Sequence, residues 1–337
     1  MVDRITIADI AKMADTSVAT VSKVLNGRPG ISGPVRDQIL DLAKQVGYRP
    51  RGKGIQKRAK LIDLVLRGIS NPWASCVLAG AESEAAQAGV GLVISVSHGR
   101  DMGNPQWIDR LSRRHSDGLV LVVSRLTDGV DSELARLRIP YVIVDPIGIV
   151  PPGVPVVGAT NTEGGRTAVD HLVELGHRRI AIITGPKNIT CAQQRLDGYQ
   201  AGLARAGIQP NPDYVHYGDF EVEGGYKAAK ALLALPDPPT AIFAGSDLQA
   251  NGVYRAASEE GLILPQDLSV VGFDDSPLCD WMIPTLTTIR QPLEDMARQA
   301  TRILLSITNG QGYPGTTNIQ LATSLVVRES TCSPRFP

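Results

Sequence analysis

Residues 5–50 read ITIADIAKMADTSVATVSKVLNGRPGISGPVRDQILDLAKQVGYRP. The pattern encodes three short helices in close succession. Thr6 stands where a helix cap belongs, and Asp9, three positions on, puts negative charge in the first turn. Ile7, Ile10, Ala11 and Ala14 then share one helical face. The pattern stops at Asp15-Thr16, and Ser17 restarts it as a second cap. In the second helix Val21, Val24 and Leu25 face inward, leaving Val18, Ala19, Ser22 and Lys23 on another side. Asn26-Gly27 ends this helix, since both residues tolerate the left-handed conformation. Ser32 and Pro34 open a third helix with the apolar stripe Val35, Ile39, Leu42, Ala43 and Val46, closed by Gly47. Two helices joined by a tight turn, with a third across them, form a helix-turn-helix layout. The small, neutral-to-basic outer face of the second helix suits entry into a DNA major groove.

The charge distribution agrees. The chain has 337 residues with 34 Lys+Arg against 34 Asp+Glu, so its formal net charge is zero. Residues 1–60 nevertheless hold twelve Lys/Arg and five Asp/Glu, a net of +7, and the remainder carries −7. A basic head on an acidic body points to a polyanion partner at one end. No apolar run approaches a membrane span, and the charged N-terminus lacks a signal core. Cys76, Cys191, Cys279 and Cys332 are far apart. They form no metal-binding or disulfide pattern, and a cytoplasmic protein is expected.

From residue 61 strand-like runs alternate with helical patterns. LIDLVL (61–66), GLVISV (91–96), GLVLVV (118–123) and PYVIVD (140–145) make one set. RIAIITG (179–185), YVHYGDF (214–220), TAIFAGS (240–246) and LSVVGFDD (268–275) make another. Helices are expected near 73–88, 104–114, 163–175, 191–206, 223–234 and 247–260. This alternation argues for two parallel sheets covered by helices, with ligands beyond the carboxyl ends of the strands. No dinucleotide fingerprint follows the first strand, and phosphate-loop, GxSxG and HExxH motifs are absent from the sequence. Asp274-Asp275 lacks a neighbouring His or third carboxylate in sequence, and His177 falls at a helix-to-strand turn. No catalytic residue, metal or cofactor is assigned.

Residues 5–50 resemble the DNA-binding head of the LacI/GalR family of bacterial repressors through T-x-x-D-[IV]-A, [TA]-V-S-x-V-L-N-G and G-Y-x-P elements in order. The resemblance extends to about residue 330 through SNPW (70–73), TNTEGGR (160–166), HLVELGHRRIAIITGP (171–186), QRLDGY (194–199), VGFDD (271–275) and PTLTTIRQP (284–292). It implies a small all-α helix-turn-helix head over 1–49, a basic linker over 50–60, and an α/β body over 61–337. That body would comprise two doubly wound parallel-sheet lobes resembling periplasmic sugar-binding proteins. Lobe 1 would take about 61–160 and 291–322, and lobe 2 about 161–290 and 323–330.

The resemblance also implies roles. Ser17 to Leu25 would be the recognition helix, with Val18 and Ala19 at base-choosing positions and Lys23 reaching a guanine edge or a phosphate. Thr6 is a further DNA-binding candidate, and Thr16, Ser17, Thr20, Ser22 and Asn26 would bond phosphates. The linker RGKGIQKRAKL is shorter than usual, and Gly52 and Gly54 disfavour the hinge helix of the family. Arg49, Arg51, Lys53 and Ile55 remain candidates there. They would act as a minor-groove arm of AT-hook type, as a hinge carrying an apolar wedge, or as a flexible basic tether.

In the body, Trp73, Asn161, Arg195, Phe220, Asp247, Asp274 and Gln291 would contact a small effector, usually a sugar, between the lobes. Hydroxyls pair with Asp and Arg, and an aromatic ring suits the C–H face of a pyranose. The expected protein is a homodimeric, effector-controlled repressor of an imperfectly palindromic operator. No C-terminal heptad segment suggests a tetramer. A transport binding protein would carry an export signal without a basic head. An enzyme would place a base, nucleophile or metal cluster at a strand end. The sequence has neither pattern.

Overall fold

The computed structural model describes residues 5–25, 28–46, 48, 60–97, 105–122, 128–312 and 318–335, with the backbone alone at 105–107 and 128. The chain divides into two units, the first ending at residue 59.

The first unit contains α1 (Ile7–Met13), α2 (Val18–Leu25) and α3 (Gly33–Gln45). Thr6 and Asp9 form a reciprocal cap: Thr6 N donates to Asp9 Oδ2 at 2.8 Å, and Asp9 N donates to Thr6 Oγ1 at 3.3 Å. These bonds hold the Asp9 carboxyl below its usual range. Ser17 caps α2 through Thr20 N at 3.1 Å. Ser32 precedes α3 without a side-chain cap bond, so Pro34 in the first turn carries that start. Ile10, Ala11, Ala14, Val21, Val24, Ile39 and Ala43 close on one another as a small core. The three apolar stripes thus meet at a single seam.

The second unit begins with β1 (Leu61–Leu66), α4 (Pro72–Gln87), β2 (Gly91–Val96), α5 (Pro105–Arg114), β3 (Gly118–Val122), α6 (Asp128–Leu137), β4 (Tyr141–Val144) and β5 (Val156–Ala159). It continues through α7 (Asn161–Glu174), β6 (Ile180–Thr184), α8 (Thr190–Arg205), β7 (Val215–Tyr217), α9 (Val222–Leu233), β8 (Ala241–Ala244), α10 (Asp247–Glu259) and β9 (Ser269–Asp274). It ends with β10 (Thr287–Arg290), α11 (Leu293–Thr308), β11 (Asn318–Leu321) and β12 (Ser324–Val326). One sheet has the order β11-β5-β4-β3-β1-β2 and the other β12-β10-β9-β8-β6-β7. Every pairing is parallel except β10 with β12.

Continuous apolar runs such as GLVLV and IAIIT are buried along their whole length, as strands covered on both faces must be. In the first sheet α4 and α11 cover one face, and α5 and α6 the other. In the second sheet α9 and α10 oppose α7 and α8. Asp63 interrupts the β1 run yet is wholly buried. It accepts from Ser95 Oγ, Ser116 Oγ and Arg114, which pair and satisfy its charge.

The lobes exchange chain three times: between β5 and α7, between β10 and α11, and between β11 and β12. Two of these passages are laced together. Thr323 N donates to Thr160 Oγ1 at 2.9 Å, and Thr160 N donates to Leu321 O at 2.9 Å. The sequence pattern singles out neither the strands β5, β10, β11 and β12 nor the helices α6 and α11. It also drew one strand over 214–220; only Val215–Tyr217 pairs, and Gly218 to Phe220 leave the sheet as a turn. The departure frees Phe220 to face the space between the lobes.

Candidate functional site

A cavity of about 380 Å³ lies between the two lobes of the second unit. Its walls come from the carboxyl ends of strands in both sheets: Arg67 after β1, Asp145 after β4, Pro186 after β6, Ser246 after β8 and Asp274 at the end of β9. Side chains there leave the sheet without a neighbour above them, which makes the strand ends the natural ligand shelf. Several backbones bend sharply to reach it. Asp145 (φ 47°), Phe220 (φ 68°), Asp274 (φ 118°) and Asp275 (φ 56°) all occupy the left-handed side of the map. Such conformations cost energy and persist where surrounding contacts over-determine them.

Arg195, from α8, sits at the centre. Its Nε donates to Asn161 Oδ1 at 2.9 Å, Nη1 to Gly245 O at 2.5 Å, and Nη2 to Gln291 Oε1 at 3.0 Å. The guanidinium packs 3.7 Å from the Phe273 ring centre and 5.5 Å from that of Phe220. Gln291 lies on the passage from β10 to α11, and its Nε2 donates to Asp145 Oδ2 at 2.8 Å. One amide therefore ties an acid of the first lobe to a guanidinium of the second.

Arg195 Nη1 stands 3.8 Å from Asp274 Oδ1, and that oxygen has no hydrogen-bond partner among the described residues. Burial, with the charges of Asp247 and Asp145 nearby, pushes the Asp274 carboxyl well above the usual range despite Arg195. Burial also raises Asp145, against the opposing pull of Arg195 and Gln291. Asp247 is pushed up to about 6 by burial, although it accepts from Thr288 Oγ1 at 2.7 Å and Ser276 N at 2.8 Å.

Of the residues singled out in sequence, Trp73, Arg195, Phe220 and Asp274 line the cavity. Trp73 also packs on the first lobe's core. Asn161, Asp247 and Gln291 are buried and are not among the lining residues. They hold Arg195, the β9 end and Asp145 from behind. Sequence reasoning missed Arg67, Asn71, Asp145, Asp219 and Glu221, all of which line the cavity. Asp145 carries the same signal as Asp274, an acid ending an apolar strand. Asn71 caps α4, accepting from Ala74 N at 2.9 Å. The outer end of the Phe220 ring abuts the residue after β6: a Cβ placed on Gly185 would sit 2.1 Å from its Cζ.

In the first unit Ser17, Val18, Ala19 and Lys23 are exposed, with Thr16, Thr20 and Ser22 half-buried. Val18, an apolar residue, is 46% exposed, so packing does not account for it. The Thr6 hydroxyl is engaged with Asp9 Oδ2 at 2.6 Å, and those of Ser17 and Thr20 lie 2.9 Å from each other. Asn26, Arg49, Arg51, Lys53 and Ile55 lie outside the described residues, as does the 50–60 linker apart from Lys60.

Residues 6–51 match the model of bacterial regulatory proteins of the lacI family, and residues 169–331 match a periplasmic binding protein-like domain. The chain is 34% identical to the HTH-type transcriptional repressor CytR of Escherichia coli K12, over 97% of this chain and 96% of that repressor. The chain belongs to the LacI family. It is a DNA-binding transcriptional regulator with a helix-turn-helix head and two parallel-sheet lobes.

A second LacI-family relative, the ribose operon repressor of Haemophilus influenzae, is 33% identical over 89% of this chain and 91% of its own. Among solved LacI-type structures, the regulator CelR in complex with cellobiose matches with a TM-score of 0.74 and 32% identity, covering 97% of this chain and 100% of that one. The lac repressor dimer bound to operator and the anti-inducer ONPF matches with a TM-score of 0.73 and 28% identity, over 98% and 100%. No helix among the described residues is long and apolar enough to cross a membrane.

Proposed function

We propose that this LacI-family regulator is a homodimeric cytoplasmic repressor that releases or grips a palindromic operator according to a sugar held between its lobes. The carrying observation is the Asp145–Gln291–Arg195 bridge beside the cavity. A ligand that engages Asp145 and Arg195 acts on the two lobes at once, and Gln291 senses both. Only such differential contact shifts a conformational equilibrium. The relatives named for ribose and cellobiose favour a sugar. The exposed face of α2 would enter the major groove, Val18 and Ala19 touching base edges and Lys23 a phosphate. Arg49, Arg51, Lys53 and Ile55 would add contacts from the linker. The chain's role is binding, with no catalytic step.

The test is selection of duplexes from a random pool by the full-length chain, followed by anisotropy titration across salt concentrations. A palindromic consensus and a steep fall of affinity with salt are expected. Salt-independent binding, or no sequence preference, overturns the reading.

A further inference from the structure

We infer that Ile147, on the loop between β4 and β5, is the pin of an apolar clasp. Seated among Ile189, Cys191, Ala192 and Phe220 of the second lobe, it holds the two lobes closed on each other without help from a ligand, and its release opens the cleft. The clasp is independent of what fills the cleft, while its role as a gate rests on the reading of that cleft as the effector site.

Connecting loops run over the surface, and their apolar side chains are buried only where something covers them. Two isoleucines stand two positions apart in this loop: Ile149 is 96% exposed and Ile147 only 6%. The backbone separates their fates. Asp145 (φ 47°) and Gly148 (φ 77°) take left-handed conformations on either side of Ile147, the second at the residue type that adopts them freely. Pro146, with its fixed φ, stiffens the span between them. The turn seats Ile147 against the second lobe and leaves Ile149 in water. Gly148 N adds a long bond of 3.4 Å to Thr190 Oγ1, at the first residue of α8.

The larger apolar clusters of the body each lie within one lobe. Among the described residues, the cluster around Ile147 is the one drawn from both. Ile189, Cys191 and Phe220 also line the cavity, so the socket and the ligand shelf share three residues. Separating the lobes returns Ile147 and its socket to water. Burial of one isoleucine moves an equilibrium by roughly ten- to hundredfold, and this bias favours the closed cleft. It is apolar, so salt does not screen it as it screens an exposed ion pair. Lifting one loop off α8 is a local opening that leaves both sheets intact.

Cys191 reports the opening. Its thiol is buried in the socket, and burial pushes it up to about 12. The thiolate is the form that alkylates, so reaction at neutral pH requires exposure. The test labels the reduced full-length chain at pH 7.5 with a dye-linked maleimide too bulky for a 380 Å³ cavity, and follows each cysteine by peptide mass. Cys279, wholly buried in the core of the second lobe, is the internal control for unfolding. Ile147→Ala should speed labelling of Cys191 at least tenfold and leave Cys279 unchanged. Ile147→Val, a milder truncation, should speed Cys191 by about two- to fivefold, and Ile149→Ala should change neither site. An unchanged Cys191 rate in Ile147→Ala overturns the inference. So does a rise shared equally by Cys279 in both Ile147 variants, which would mean a loosened fold and no clasp. No effector or operator takes part, so either failure leaves the regulator reading standing, and a failure of that reading leaves the clasp standing.

Discussion

Gln291 and Asp145 are joined by a 2.8 Å hydrogen bond that runs from the β10–α11 passage to the end of a strand in the first lobe. The other end of the same amide accepts from Arg195 in the second lobe. Gln291 is 3% exposed and does not line the cavity, and its amide holds Asp145 and Arg195 together.

Replacing it separates binding from response. Gln291→Met keeps the volume and removes both bonds. Sugar affinity should change by less than about threefold, while the effect of sugar on operator affinity should shrink about tenfold, a loss of roughly 1.4 kcal/mol in coupling. Calorimetry and operator titration on one preparation measure both. A parallel fall of both quantities contradicts the positioning role.

Gly185 supports Phe220. Gly185→Ala drives a methyl into the aromatic ring and forces it off the β6 end. Overpacking of this kind costs about 1–3 kcal/mol. Sugar affinity should fall roughly 5- to 150-fold, with operator affinity in the absence of sugar unchanged. Retained sugar affinity means that the Phe220 ring is not a wall of the working site.

Asp247 sets a pH dependence. Its folded value of about 6 stands above the ordinary 3.8, so between about pH 4 and pH 6 the folded chain holds more protons than the unfolded one. Stability from this group therefore declines as pH rises through that window. Asp247→Asn can keep Ser276 N on its carbonyl and turn its amide to the Thr288 hydroxyl. Denaturant midpoints at pH 4, 5, 6 and 7 should decline less with pH in the variant. An identical slope would show that Asp247 does not titrate there.

On the head, Lys23→Ala should weaken all duplexes about equally and reduce the slope of log affinity against log salt by about 1. Val18→Thr should leave that slope alone and change the preferred base at one position in each half-site. A sequence-specific effect of Lys23→Ala would move Lys23 from the phosphate backbone to a base edge.

The head was almost fully legible in sequence, because short capped helices announce their starts and their apolar faces locally. Thr6, Ser17 and the stripe from Ile10 to Ala43 did what local rules require. The alternation of strands and helices in the body was legible for the same reason. The second rank of the site was not. Asn161, Asp247 and Gln291 are expected at the ligand, and they lie outside the lining of the cavity, because resemblance identifies a neighbourhood without its depth. Asp145 was overlooked although PYVIVD ends like VGFDD. Its importance comes from a bond to Gln291, 146 positions away, which no local pattern encodes. Phe220 reached the cavity only because the strand drawn through it stops at Tyr217.

The pairing of Thr160 with Thr323 bears on how the body can move. Two of the three passages between lobes are fastened side by side through Thr160 and Thr323, so the two connections behave as one. The third passage, which holds Gln291, is not part of this fastening. Any relative shift of the halves must carry the two fastened passages together, while the Gln291 passage can adjust on its own.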